Sequence, residues 1–160
     1  MNLYMALHAE AEEKTPPEQD AARKVVQAGF DDIKRVANFA PVAKGGALSA
    51  LYHSPTVRTR ETAEGFAQHF ETRDGAVEAD GLMAEDDISG WLEKLNGADD
   101  DLMIVGHMPN LKRIAGSLIA GDEAAHPIQF ARAGIACLQR RDDKSWAVSW
   151  MVTPALVLAA

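Results

Sequence analysis

A chain of 160 residues, 47% hydrophobic and 25% charged, has the size and balance of one globular domain with a sizeable core. Its net charge of -8 excludes nucleic acid and anionic membrane as expected partners, so any anion pocket has to gather positive charge locally. Cys137 stands alone, which rules out an intrachain disulfide and a cysteine metal cluster. The start, Met1-Asn2-Leu3-Tyr4, lacks a basic region followed by a long apolar stretch, so no signal peptide or transmembrane segment is expected and the cytoplasm is the expected compartment.

Leu3 to Leu7 is a short apolar run that reads as a buried strand ending at His8. Glu10 to Asp20 is polar, carries Pro16-Pro17, and reads as a loop. From Ala22 apolar residues recur at Val25, Val26, Phe30, Ile33, Val36, Ala37 and Ala40, which is helical spacing without a marked start. Ala47 to Tyr52 is a second strand. Ser54 suits an N-cap and Pro55 a first helical residue, so the next helix is expected to open there and to bury Ala63, Phe66, Ala67 and Phe70. Val77 to Met83 reads as a short edge strand. Asp86 or Asp87 is expected to cap a helix with Ile88, Trp91, Leu92 and Leu95 inside. Asp99-Asp100-Asp101 is a solvated turn. Leu102 to Gly106 is a central strand that ends at His107, and the helix after Pro109 buries Leu111, Ile114, Ala115, Leu118 and Ile119. Gly134 to Arg140 and Trp146 to Val152 form a hairpin around Asp142-Asp143-Lys144-Ser145, with Cys137 as a buried apolar residue. Strands alternating with helices predict an α/β sandwich with a mostly parallel sheet, in one domain spanning 1–160.

Two apolar runs thus end in a histidine. In open α/β sheets ligands bind at the carboxyl ends of strands, so His8 and His107 are expected to converge despite their separation in sequence. Arg58 lies one turn into its helix, near Ser54. Free N–H groups at a helix start attract anions, and a guanidinium there adds a bidentate clamp. Two imidazoles and a guanidinium suit phosphoryl chemistry: one histidine attacks phosphorus and the other groups hold its oxygens. Taken singly, each histidine reads as a strand-end imidazole bonded to a carbonyl, and Arg58 as a surface arginine paired with Glu61 or Glu64. Their combination favours the phosphoryl site. Arg60, two residues further on, faces another side of the helix. Other site types fit less well. His8-Ala9-Glu10 opens like a zinc deaminase motif, but the paired cysteines are missing. There is no His-Glu-x-x-His, no glycine-rich nucleotide loop and no Gly-x-Ser-x-Gly. Glu10, Glu12 and Glu13 read as a solvated loop rather than metal ligands, so neither metal nor cofactor is expected.

In order along the chain, Leu7-His8-Ala9-Glu10-Ala11, Asp20-Ala21-Ala22-Arg23 with Gly29, Ser54-Pro55-Thr56-Val57-Arg58-Thr59-Arg60-Glu61-Thr62 and Val105-Gly106-His107-Met108-Pro109-Asn110-Leu111 resemble the motifs of the histidine phosphatase superfamily. The likeness is to its short SixA-type phosphohistidine phosphatase branch and runs over essentially the whole chain, through Trp150-Met151-Val152-Thr153-Pro154. It implies a three-layer fold of phosphoglycerate mutase type, with helices on both faces of the sheet, and hydrolysis that needs no metal. His8 would be the nucleophile that becomes phosphorylated. His107 would stabilise the phosphoryl group opposite it, Arg58 would clamp the non-bridging oxygens, and Arg23 and Ser54 would add phosphate contacts. The resemblance does not fix which residue protonates the leaving group; Asp87, in about the right segment, is a candidate for that role and equally for a helix cap. The implied substrate is a phosphorylated protein histidine or a small phosphate ester.

Two positions depart from the family's pattern. Leu7 stands where an arginine would touch the phosphoryl group. One lost charged hydrogen bond costs about 1.5–3 kcal/mol, or roughly one to two powers of ten in rate, which implies a slower enzyme. Arg23, Arg132 and His53 are the candidates to supply a substitute donor. Met108 stands where a polar N-cap would precede Pro109, a loss of about 1 kcal/mol. The alternative reading is a catalytically degenerate module that binds phosphate or a phosphoprotein.

Overall fold

The computed structural model describes residues 1–14, 16–42 and 47–158. Strands β1 (Asn2–Leu7), β2 (Ala50–His53), β3 (Ala76–Glu78), β4 (Leu102–Gly106), β5 (Ile135–Arg140) and β6 (Trp146–Val152) form one sheet in the order β3-β2-β4-β1-β5-β6. β3, β2, β4 and β1 run parallel, while β5 and β6 pair antiparallel, so the sheet is mixed and mostly parallel.

Central strands β1 and β4 are apolar at nearly every position because both faces of the sheet are covered. Successive side chains go to opposite faces. Tyr4, Ala6, Met103 and Val105 join one apolar cluster, with Ile33 and Val36 of α1 (Gln27–Phe39) and Ala63 and Phe66 of α2 (Val57–Ala67). Leu3, Met5, Leu102 and Ile104 join the other, with Trp91 and Leu95 of α3 (Ser89–Gly97) and Leu111, Ile114 and Leu118 of α4 (Asn110–Ala120). This is the three-layer arrangement. A short α5 (Pro154–Leu158), which the sequence pattern did not announce, packs beside α1. Cys137 is buried, and burial pushes its thiol up to about 12. Among the described residues no helix is long and apolar enough to cross a membrane.

Several boundaries differ from the sequence reading, each for a local reason. The stretch read as a loop over Glu10–Asp20 runs into a 3-10 turn, Pro17–Ala22, which Pro17 helps to start; Thr15 lies outside the described residues. Helix α1 begins at Gln27 because Val25 is engaged in a bridge with Ala11. Strand β2 begins only at Ala50, since Leu48 makes an isolated bridge to Thr72. Strand β3 stops at Glu78, well short of Met83. Helix α2 opens at Val57 rather than Pro55: its N-cap is Thr56, which accepts from the Thr59 N–H, while the Ser54 hydroxyl is turned inward. Phe70 lies past the end of α2 yet stays buried, stacked on Phe66. Before α3, Asp86 accepts from the Met83 N–H and Asp87 from Ser89, so neither caps the helix as expected; the N-cap position is Ile88. Pro109, not Met108, precedes α4, and no side chain caps that helix.

Candidate active site

The register of the sheet builds the site. β1 and β4 are parallel neighbours with Leu7 opposite Gly106, and the next residue in each is a histidine. His8 and His107 therefore leave the same edge side by side, their ring centroids 5.3 Å apart. The His8 N–H donates to the Gly106 carbonyl at 3.2 Å, which ties the two turns together. β2 flanks β4 on its other side, and the Ser54 N–H donates to the Val105 carbonyl at 3.2 Å. That bond brings the start of α2, and with it Arg58, to the same edge.

The two imidazoles are held by different nitrogens. His8 Nδ1 is 2.8 Å from the Ala9 carbonyl oxygen. A carbonyl only accepts, so Nδ1 carries the proton and Nε2 keeps its lone pair. Burial pushes the His8 pKa down to about 4, and Arg58, Arg132 and Arg23 push the same way. The ring is neutral at pH 7, as a nucleophile must be. His107 is tied at Nε2, 2.7 Å from Ser54 Oγ and 3.4 Å from Thr56 Oγ1. The Ser54 hydroxyl also meets Thr59 Oγ1 at 2.8 Å, while the Thr59 hydroxyl donates to the Ser54 carbonyl at 2.7 Å, so Ser54 can face the imidazole as donor or as acceptor. Burial, then Arg58 and His8, push the His107 pKa down to about 3.

Arg58 is buried, with Nη1 donating to the Asp20 carbonyl at 2.8 Å and Nη2 to the Asp20 carboxylate at 2.9 Å. Its Nε has no partner among the described residues. Arg23 donates from Nε to the Glu12 carbonyl at 2.9 Å and from Nη1 to the other Asp20 oxygen at 2.8 Å. Arg23, first, and Arg58 hold the Asp20 carboxyl below its usual range. Asp20 thus bridges both arginines. The sequence shows Asp20 and Arg23 within one motif but gives no sign of the link from Asp20 to Arg58, for which no periodicity gives a signal across 38 residues.

These side chains line a cavity of about 620 Å³. Lys14, Arg23, Arg58 and Arg132 bring four cationic groups to its wall against the single carboxylate of Asp20, beside His8 and His107. Leu7 and Met108 supply apolar wall. Positive charge is therefore concentrated here in a chain of net charge -8. Among the described residues no group of three or more His, Cys, Asp or Glu is arranged to hold a metal ion.

Three expected site residues lie elsewhere. Ser54 is fully buried behind His107 and does not line the cavity, so its hydroxyl serves the imidazole rather than a phosphate. Asp87 is exposed and borders a separate cavity with Gly81, Trp91 and Lys94; its bonds to Ser89 hold its carboxyl below the usual range, the opposite of what a general acid needs. His53 is buried with Nδ1 on the Ser54 carbonyl at 2.9 Å, away from the cavity. Arg60 is exposed and pairs with Glu64 at 3.9 Å, in line with its expected orientation. Gly29 is required by a close approach: a Cβ there would stand 2.5 Å from the Glu10 carbonyl oxygen, where α1 meets the loop that follows His8.

The architecture is that of the histidine phosphatase fold. No family model and no curated protein matches the chain. Solved structures do. The protein histidine phosphatase SixA complexed with tungstate superposes with a TM-score of 0.82 at 18% identity, over 98% of this chain and 99% of that one. A candidate phosphohistidine phosphatase SixA from Agrobacterium tumefaciens matches with a TM-score of 0.75 at 24% identity, over 96% and 97%. Phosphoserine phosphatase from Entamoeba histolytica, in complex with 3-phosphoglyceric acid, matches with a TM-score of 0.65 at 16% identity, over 95% and 96%.

Proposed function

We propose that the chain is a phosphohydrolase that removes a phosphoryl group from phosphohistidine in a protein, or from a small phosphate ester, through a phospho-His8 intermediate. The observation that carries this reading is the meeting of three groups at one edge of the sheet: His8 offers a neutral Nε2 lone pair beside the His107 imidazole and the buried Arg58. The Nε2 lone pair forms a bond to phosphorus as the bond to the leaving oxygen or nitrogen breaks. The leaving group takes the bonding pair and a proton from solvent water. Water then attacks phospho-His8, the P–N bond breaks, and inorganic phosphate leaves. Arg58, Arg23 and His107 offset the charge on the non-bridging oxygens. The reading assigns the nucleophile and the positive charge to side chains and so calls for no metal. The neighbour solved with tungstate, an oxyanion, is in keeping with this. Among the described residues the one carboxyl on the cavity wall, Asp20, is paired with Arg23 and Arg58 and held below its usual range, which suits a phosphohistidine substrate, because an imidazole leaves with less help than an alkoxide.

Leu7 favours a second reading, a binding module that keeps the anion pocket but turns over little, since its side chain lines the cavity and cannot donate. The two separate in one experiment. Wild type and His8→Ala are incubated with a generic phosphate ester and with a phosphohistidine protein, and the reaction is quenched at alkaline pH, where phosphohistidine survives. Phosphate release and a phosphorylated His8 in wild type alone are expected. Vanadate binding without either would establish the binding module.

A further inference from the structure

We propose that Arg132 supplies the guanidinium contact to the phosphoryl group that Leu7 cannot make. The proposal rests on the phosphatase reading and adds a catalytic residue that belongs to this chain's own solution of the missing arginine.

The placement is direct. Arg132 bridges Leu7 in parallel register, and the Ala133 N–H donates to the Leu7 carbonyl at 3.1 Å. Arg132 thus leaves the backbone beside residue 7, one strand over, on the side of β1 away from β4. It lines the same cavity as His8, Arg58 and His107. Ala133 holds a φ of 54°, the left-handed region that a residue with a Cβ seldom adopts, so this bend is one the chain keeps at some cost.

The guanidinium is also uncommitted. Its one ion pair among the described residues is with Glu10 at 3.9 Å, too long for a hydrogen bond, and the two side chains are 56% and 50% exposed. The other candidates are not free in this way. Arg23 is buried and already donates from Nε and Nη1. His53 does not reach the cavity. Lys14 does, but an ammonium is a point charge that cannot grip two oxygens as a guanidinium does. The field of Arg132 already reaches the nucleophile, helping Arg58 to lower the His8 pKa, whereas Lys14 is not among its causes.

The test compares kcat/KM for a generic phosphate ester, and vanadate affinity, in wild type, Arg132→Ala, Arg132→Lys, Arg132→Ala with Leu7→Arg, and Arg60→Ala. Arg132 is exposed and makes no hydrogen bond among the described residues, so its removal should leave the melting temperature in place. A fall in kcat/KM of roughly ten- to a hundred-fold is expected for Arg132→Ala, from one charged contact. Partial activity is expected for Arg132→Lys, recovery when Leu7→Arg restores a guanidinium, and no change for Arg60→Ala, which removes a charge outside the cavity. If wild type forms phospho-His8 but Arg132→Ala stays within twofold in both readouts, the proposal is wrong and the phosphatase reading stands. An equal loss in Arg60→Ala would also overturn it, since net charge alone would then explain the effect. If wild type neither forms phospho-His8 nor binds vanadate, both fall together.

Discussion

Acidifying the solution from pH 7 to pH 5 is expected to destabilise the folded chain through its two site imidazoles. An unfolded histidine takes up a proton near 6.5, but folded His8 resists until about 4 and folded His107 until about 3. Between those limits the unfolded state binds more protons, so stability is complete above 6.5 and declines as pH falls. The decline is about 1.4 kcal/mol per pH unit per group. At pH 5, some 1.5 units below the unfolded value, each histidine therefore takes away about 2 kcal/mol. Replacing His107 with glutamine, which does not titrate, removes one of the two contributions. Urea unfolding at pH 7 and pH 5 reads the effect. His107→Gln loses the Ser54 bond at both pH values, and the carboxylates titrate in both proteins, so these terms cancel in the comparison. Wild type should lose about 2 kcal/mol more than the variant on acidification, seen in a thermal melt as roughly 4–8 °C. Equal losses would mean that burial does not hold the folded His107 imidazole neutral.

Three other outcomes follow from the same contacts. Ser54→Ala should lower kcat about tenfold with KM little changed, because His107 Nε2 loses its 2.7 Å partner and the ring is no longer held in place; steady-state kinetics checks this. Asp20→Ala should tighten vanadate binding several-fold by releasing Arg58 Nη2 and Arg23 Nη1 from an internal anion, and a calorimetric titration that shows weaker binding would make Asp20 a positioning group instead. Gly29→Ala should lower stability by about 1–3 kcal/mol in a melt, since the new Cβ meets the Glu10 backbone as well as the Val25 side chain.

What the sequence disclosed and what it hid divide along the reach of its signals. Apolar runs ending in His8 and His107 announced two strand ends, because a fully buried strand has to be apolar on both faces. Adjacent pairing of β1 and β4 then did the rest. The start of α2 misled for a physical reason: Ser54 has the chemistry of an N-cap, but its hydroxyl is drawn to an imidazole 53 residues away, and Thr56 caps instead. The Asp20 bridge to Arg58 was illegible for the same cause, as a long-range polar contact leaves no periodicity. Asp87 was placed by its rank along the chain alone. Strand β3 is short and α3 starts late, which carries Asp87 to a different cavity. Arg132 could be named as a candidate but not chosen, since its value depends on lying across from Leu7 in a bridge that no spacing encodes.

The two histidines differ in sequence context less than in the partner each meets, and that partner sets the role each takes in the proposed reaction. The Ala9 carbonyl can only accept, so His8 has one fixed tautomer before the reaction. When Nε2 gains phosphorus the ring becomes cationic, and the same carbonyl then faces a more acidic N–H, so the bond strengthens as the intermediate forms. The Ser54 hydroxyl can donate or accept, and it sits 2.8 Å from Thr59 Oγ1, so His107 is not bound to one protonation state. In the proposed reaction, negative charge on the phosphoryl oxygens would favour a further proton on His107, which the Ser54 hydroxyl can accommodate without moving. A one-way acceptor behind the nucleophile and a two-way hydroxyl behind its partner thus give identical side chains unequal tasks.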